Sequence, residues 1–115
     1  MSKTIKLEAG EVLINEGEKK QDLFWVQKGE LAVYQKRASY EIHLDKIHAG
    51  ELIGELAVID QLPRSATIKA ITACEIIQYS NEELKDLFEA QPQIVKILLQ
   101  TLVERLRKTT SRLQS

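Results

Sequence analysis

Between Ile53 and Thr67 the chain reads Ile-Gly-Glu-Leu-Ala-Val-Ile-Asp-Gln-Leu-Pro-Arg-Ser-Ala-Thr. An acid, a base and a hydroxyl stand there in an order suited to a small anion that also carries hydroxyl groups. Gly54 has no Cβ and lets the backbone approach a ligand closely. Glu55 to Ile59 can form one helical turn whose unpaired N–H groups attract negative charge. Arg64 offers a planar fork that matches phosphate oxygens, and Ser65 adds a hydroxyl donor beside it. Glu55 would repel a phosphate if it faced one, so its expected partner is a sugar hydroxyl.

The runs Gly54-Glu55-Leu56-Ala57 and Pro63-Arg64-Ser65-Ala66-Thr67 resemble the phosphate-binding cassette of cyclic-nucleotide-binding domains. Within that family they are most like the ligand-binding domain of bacterial catabolite activators. The resemblance implies a role for each matching position. Glu55 would hold the ribose 2′-hydroxyl, and Arg64 and Ser65 the cyclic phosphate. The turn of Gly54, Glu55, Leu56 and Ala57 would add backbone donors. Cyclic AMP is the expected ligand and cyclic GMP the second choice, because cyclic-GMP binders of the family often carry threonine beside the arginine. No cofactor is implied.

Other segments must position this cassette. Candidate strands are Thr4–Leu7, Val12–Asn15, Leu23–Lys28, Glu30–Lys36, Tyr40–Ile47, Ala66–Ile71 and Cys74–Tyr79. Short strands with turn residues between them suggest a sandwich, jelly roll or small barrel. The family resemblance selects the jelly roll (double-stranded β-helix), giving a mainly β fold over residues about 4–79 with flanking helices. Each of the five glycines is followed by glutamate, so a Gly-Glu pair alone says little here, and four of the five read as turns. Lys6–Leu13 faintly repeats Lys46–Ile53, as two similar corners of a roll would. Trp25 is expected in or beside the core, and Cys74 as a buried strand thiol. The hairpin tip at Ala38–Tyr40 lacks glycine and proline, so its turn type is not readable.

The apolar period changes after Tyr79. Ser80-Asn81-Glu82-Glu83 has the capping-box pattern and predicts a short helix over about 81–90, burying Leu84, Leu87 and Phe88. Pro92 suits the first turn of a long C-terminal helix over about 92–113. Val95, Leu99, Leu102, Leu106, Thr109 and Leu113 follow heptad spacing, which predicts a seam to a second helix and hence a homodimer. Ile94, Ile97 and Leu98 would lie to one side, against the β body. The alternative is a single broad face packed wholly on its own domain. By resemblance to the catabolite activators, Thr109 and Thr110 would meet the base, partly across the dimer.

Bulk properties agree with one soluble domain. Hydrophobic residues make up 43% and charged residues 29%, as in ordinary globular proteins. A net charge of −1 argues against a broad nucleic-acid-binding surface. The resemblance stops before the helix-turn-helix of the catabolite activators, so this chain alone is not expected to bind nucleic acid. The basic tail residues Arg105, Arg107, Lys108 and Arg112 read as a solvated face near a helix C-terminus. The start of the chain has no apolar leader, and no run approaches the ~20 apolar residues of a membrane span, so a cytoplasmic location is expected. One cysteine excludes an internal disulfide.

No catalytic set is visible, and the chain is expected not to be an enzyme. His43 and His48 differ in strand parity and should face opposite ways. The His-x-His pair with glutamate of cupin metal enzymes is absent, so no metal site is expected. Three functional classes compete: a cyclic-nucleotide sensor signalling through its C-terminal helix, a ligand-free dimerisation or docking scaffold of the same fold, and a small cupin-like enzyme. The cassette favours the first.

Overall fold

The computed structural model describes the backbone of residues 2–114 and the side chains of residues 2–109. Eight strands form two antiparallel four-stranded sheets. One sheet has the order β1 (Ser2–Leu7), β8 (Cys74–Tyr79), β3 (Leu23–Lys28), β6 (Leu52–Ile53). The other runs β2 (Val12–Ile14), β7 (Thr67–Ala70), β4 (Leu31–Arg37), β5 (Tyr40–Ile47). The fold is the jelly roll that the cassette implied. Strand β6, only two residues long, is too short to show an alternating pattern in the sequence.

Alternation, clearest along β3 and β8, sends one face inward, whereas β5 at the sheet edge is exposed along almost its whole length. Leu7, Ile14, Phe24, Val26, Leu31, Ile68, Cys74 and Ile76 meet in a single core between the sheets. Cys74 is buried as expected, and burial pushes its thiol pKa up, against hydrogen bonds to the carbonyls of Thr72 and Glu30. Trp25 corrects the reading. It sits between the inward-facing Phe24 and Val26, so strand parity turns it outward, where it is 39% exposed.

The repeated Gly-Glu corners have a common physical cause. In the β1–β2 corner the Glu11 carboxylate accepts from the Glu8 N–H at 2.9 Å, and in the β5–β6 corner Glu51 accepts from the His48 N–H. Glu18 does the same for the Asn15 N–H at 3.1 Å. The glycine takes the left-handed turn and the glutamate satisfies the strand-end donor three residues back. At the β4–β5 hairpin tip Ala38 itself adopts φ 56.

Among the described residues there are three helices: α1 (Glu55–Asp60) between β6 and β7, α2 (Asn81–Glu89) and α3 (Gln93–Gln114). Ser80 caps α2 by accepting from the Glu83 N–H at 3.3 Å. Phe88 is buried and Leu84 half-buried, but Leu87 is 60% exposed. Pro92 lies just before α3, its carbonyl accepting from Val95 and Lys96.

Helix α3 packs on α1, and its faces differ from the expected assignment. Val95 and Leu99 are half-buried and Val103 is buried, a row four residues apart that faces the body. Ile94, Ile97 and Leu98 face away from it: all are exposed, Ile94 by 71%, and Leu102 and Leu106 continue their row. Apolar residues occupy both faces of this helix, so spacing alone could not tell which one meets the body. The seam residue Leu113, with Thr110 and Arg112, has its side chain outside the described residues.

Candidate ligand-binding site

Gly54 stands at the end of β6 with φ 86, the left-handed conformation that starts α1, and offers α1 no side-chain cap. A Cβ built there would lie 2.1 Å from Arg64 Nη1. Glycine is therefore required twice, by the backbone angle and by the guanidinium beside it. Glu55 opens the first turn of α1, where a negative charge is also favoured by the helix dipole.

Arg64 is buried, at 8% exposure. Its main chain is stitched to the neighbouring corner, with its N–H donating to the Glu18 carbonyl at 2.9 Å and its carbonyl accepting from Gly17 at 2.8 Å. In the side chain, Nε donates to the Lys20 carbonyl at 3.2 Å and Nη2 to the Asp22 carbonyl. Burial pushes the guanidinium pKa down, and the nearby carboxylates of Glu18, Asp22 and Glu55 oppose that shift. An arginine so placed remains charged at physiological pH. Its Nη1 side faces Gly54.

The loop holding those carbonyls is itself held. The Asp22 carboxylate accepts from Gln78 Nε2 at 2.5 Å and from the Asn81 N–H at 2.9 Å, and Lys20 Nζ lies 3.5 Å away. Desolvation raises the Asp22 pKa, but these partners outweigh it and the net shift is downward. Gln21 donates to the Leu62 carbonyl at 2.6 Å, and Asn81 donates to the Gln21 carbonyl at 3.0 Å. These side chains tie residues 20–22 to the cassette and to the start of α2. Sequence reasoning singled out none of them, because their partners are remote in sequence and no local pattern marks them.

Gly54, Glu55, Leu56, Ala57, Arg64 and Ser65 all line one cavity of about 180 Å³, with Ile14, Val33 and Ile68 supplying an apolar wall. Ile53, Pro63 and Ala66 of the same stretch also line it, and so does Arg107, which the sequence had placed on a solvated helix face. Glu55 and Ser65 are exposed and Ala57 is buried. Thr109 is not among the lining residues: it is exposed and its hydroxyl donates to the Arg105 carbonyl at 3.1 Å. The Thr110 side chain lies outside the described residues. Arg64, Glu55 and Ser65 thus border one space with apolar walls. That arrangement suits a ligand that combines an anion, hydroxyl groups and a flat apolar part.

The histidines take no part in it. His43 tilts against the Tyr34 ring at 5.4 Å, and His48 Nδ1 lies 3.4 Å from Glu30. Among the described residues, no group of three or more His, Cys, Asp or Glu is arranged to hold a metal ion, and no helix is long and apolar enough to cross a membrane.

Known proteins share both sequence and fold with this chain. The cAMP-activated global transcriptional regulator CRP of Salmonella typhimurium is 33% identical over 102 residues, which cover 87% of this chain and 49% of that protein. The chain therefore spans about half the length of the curated relatives it matches. The catabolite activator protein of Thermus thermophilus superposes with a TM-score of 0.75 at 24% identity, over 98% of this chain and 54% of that one. An EAL enzyme in its cAMP-bound form superposes with a TM-score of 0.81 at 22% identity, over 97% of this chain and 30% of that one. Its cGMP-bound form gives 0.82 at 24%, over 96% and 30%. The family profile for the cyclic nucleotide-binding domain matches residues 4–91, and the chain belongs to that family.

Proposed function

We propose that this chain is a cyclic-nucleotide sensor module that binds cyclic AMP in preference to cyclic GMP. The observation that carries this reading is the position of Arg64, a buried cation held by backbone carbonyls at the wall of the cavity that Glu55 and Ser65 also line. In this reading Arg64 and Ser65 bind the cyclic phosphate. Glu55 accepts from the ribose 2′-hydroxyl, and N–H groups of the turn at Gly54 to Ala57 add donors. The apolar wall takes the base. The Salmonella relative is cAMP-activated by name. Ser65 in place of threonine supports adenine, whereas an EAL enzyme of this fold has been solved with either nucleotide, so both belong in the test.

The output runs through α3. Its exposed apolar row of Ile94, Leu98, Leu102 and Leu106 supports a homodimer through the long helix. Thr109 and Thr110 would then reach a base in the partner's pocket rather than in their own. A ligand can shift the helix only by binding one helix position better than another. The module is not an enzyme, acts without metal or cofactor, binds no nucleic acid or membrane by itself, and works in the cytoplasm.

Titration calorimetry of the whole chain with cyclic AMP and cyclic GMP tests the reading. Saturable binding of cyclic AMP, lost in Arg64→Ala, is the expected result. No heat with either nucleotide would leave a scaffold of the same fold in its place.

A further inference from the structure

Helix α1 has an acid at the end where helix electrostatics disfavour one. Asp60 is its last residue, and α1 carries no basic residue in its own last turn. The missing cation comes from α3. Arg107 Nε donates to Asp60 Oδ2 at 2.7 Å and Nη2 donates to Oδ1 at 3.2 Å. Oδ1 also accepts from the Leu62 N–H at 3.2 Å. Most surface ion pairs contribute little. This one is a two-point fork, and its side chains are only 20% and 29% exposed, the geometry in which such pairs do matter.

Its place in the fold gives it a further role. Arg107 continues the body-facing row of Val95, Leu99 and Val103 by one more turn, and it borders both the ligand cavity and a groove between α1 and α3. Helix α1 is six residues long, about 9 Å at the usual rise. It carries Glu55, Leu56 and Ala57 on the cavity wall at one end and Asp60 at the other. A helix this short moves as a unit, so a displacement at Asp60 reaches Glu55.

We propose that the Asp60–Arg107 pair is the latch that seats the long helix beside the cavity. Arg107 is then a positioning residue for ligand capture, acting through α1. Two of its guanidinium nitrogens are committed to Asp60, which favours an effect on the ligand through that carboxylate over direct contact. The proposal rests on the nucleotide-binding reading above. Linkage makes the coupling reciprocal: whatever the latch adds to ligand affinity, the ligand adds to the latch.

The test uses the whole chain with Asp60→Ala, Arg107→Ala, the double variant and Arg107→Lys. Hydrogen exchange is followed without ligand, and cyclic AMP affinity by calorimetry. Each single alanine variant should speed exchange in the second half of α3 while β3 and β8 exchange as before, which also certifies the fold. Each should weaken cyclic AMP binding by about five- to tenfold, the double variant no further than either single one, with Arg107→Lys in between. Loss of affinity in Arg107→Ala alone, with Asp60→Ala binding as the parent does, would overturn the latch in favour of direct ligand contact. Parental exchange and affinity in both would overturn it outright. If the parent binds no cyclic AMP, the nucleotide reading fails and the capture role with it. Exchange in the variants then still decides whether the pair seats the helix.

Discussion

A guanidinium enclosed as Arg64 is must have its lost hydration replaced by partners, and here two backbone carbonyls supply part of the replacement. Replacing Arg64 by alanine should weaken cyclic AMP binding by roughly 2–5 kcal/mol, read by calorimetry. Gly54→Ala should separate stability from function. The left-handed angle costs about 1–2 kcal/mol for a residue with a Cβ, visible in urea unfolding. The new methyl also displaces the end of the Arg64 side chain, so the affinity loss should be much larger than the stability loss. Asp22 contributes to the acid side of the stability curve. Its pKa is depressed in the fold, so its contribution is present above the ordinary carboxylate range and disappears as pH falls through the lowered value. Asp22→Asn should lose about 1–3 kcal/mol at pH 7 and show a flatter decline than the parent in urea unfolding between about pH 4 and pH 2.

Among the elements, those defined by local chemistry were legible and those defined by remote partners were not. The capping residue Ser80, the glycine corners and the cassette turn each carry their cause in adjacent residues, and the structure places them where the sequence suggested. Gly54, Glu55, Arg64 and Ser65 were grouped in the sequence by their distinctive order, and in the fold they line one cavity. The outward turn of Trp25, the support from Asp22 and the Asp60–Arg107 fork were hidden. Each depends on which strand or helix lies alongside, and no periodicity encodes that. Helix α3 shows the limit well: the sequence has two apolar rows, and Val103 decides in favour of the one containing Val95 and Leu99. The remaining row makes a prediction at this scale. Leu98→Glu and Leu102→Glu, both at exposed positions, should leave the thermal midpoint within a few degrees and turn a dimer into a monomer by sedimentation. A parent already monomeric with cyclic AMP bound would refute the dimer.

At the level of the molecule, a ligand held by both the cassette and the sheet wall should stabilise the whole roll. At a hundredfold excess over the dissociation constant the gain is about 2.7 kcal/mol, or roughly 10 °C in the melting temperature of a domain of this size, measurable by a thermal shift series. Cyclic GMP should shift it less at equal concentration. The sheet order has its own consequence for how the protein is made. Strand β8 lies between β1 and β3, pairing Ser2 with Tyr79 and Leu7 with Cys74 on one side and Leu23 with Tyr79 on the other. On the ribosome the first strand emerges long before its neighbour exists, and it must wait unpaired while most of the roll is synthesised. Non-local pairing of this kind slows folding, so a nascent chain stalled ahead of Cys74 would expose the edges of β1 and β3, and chaperones would find their target there.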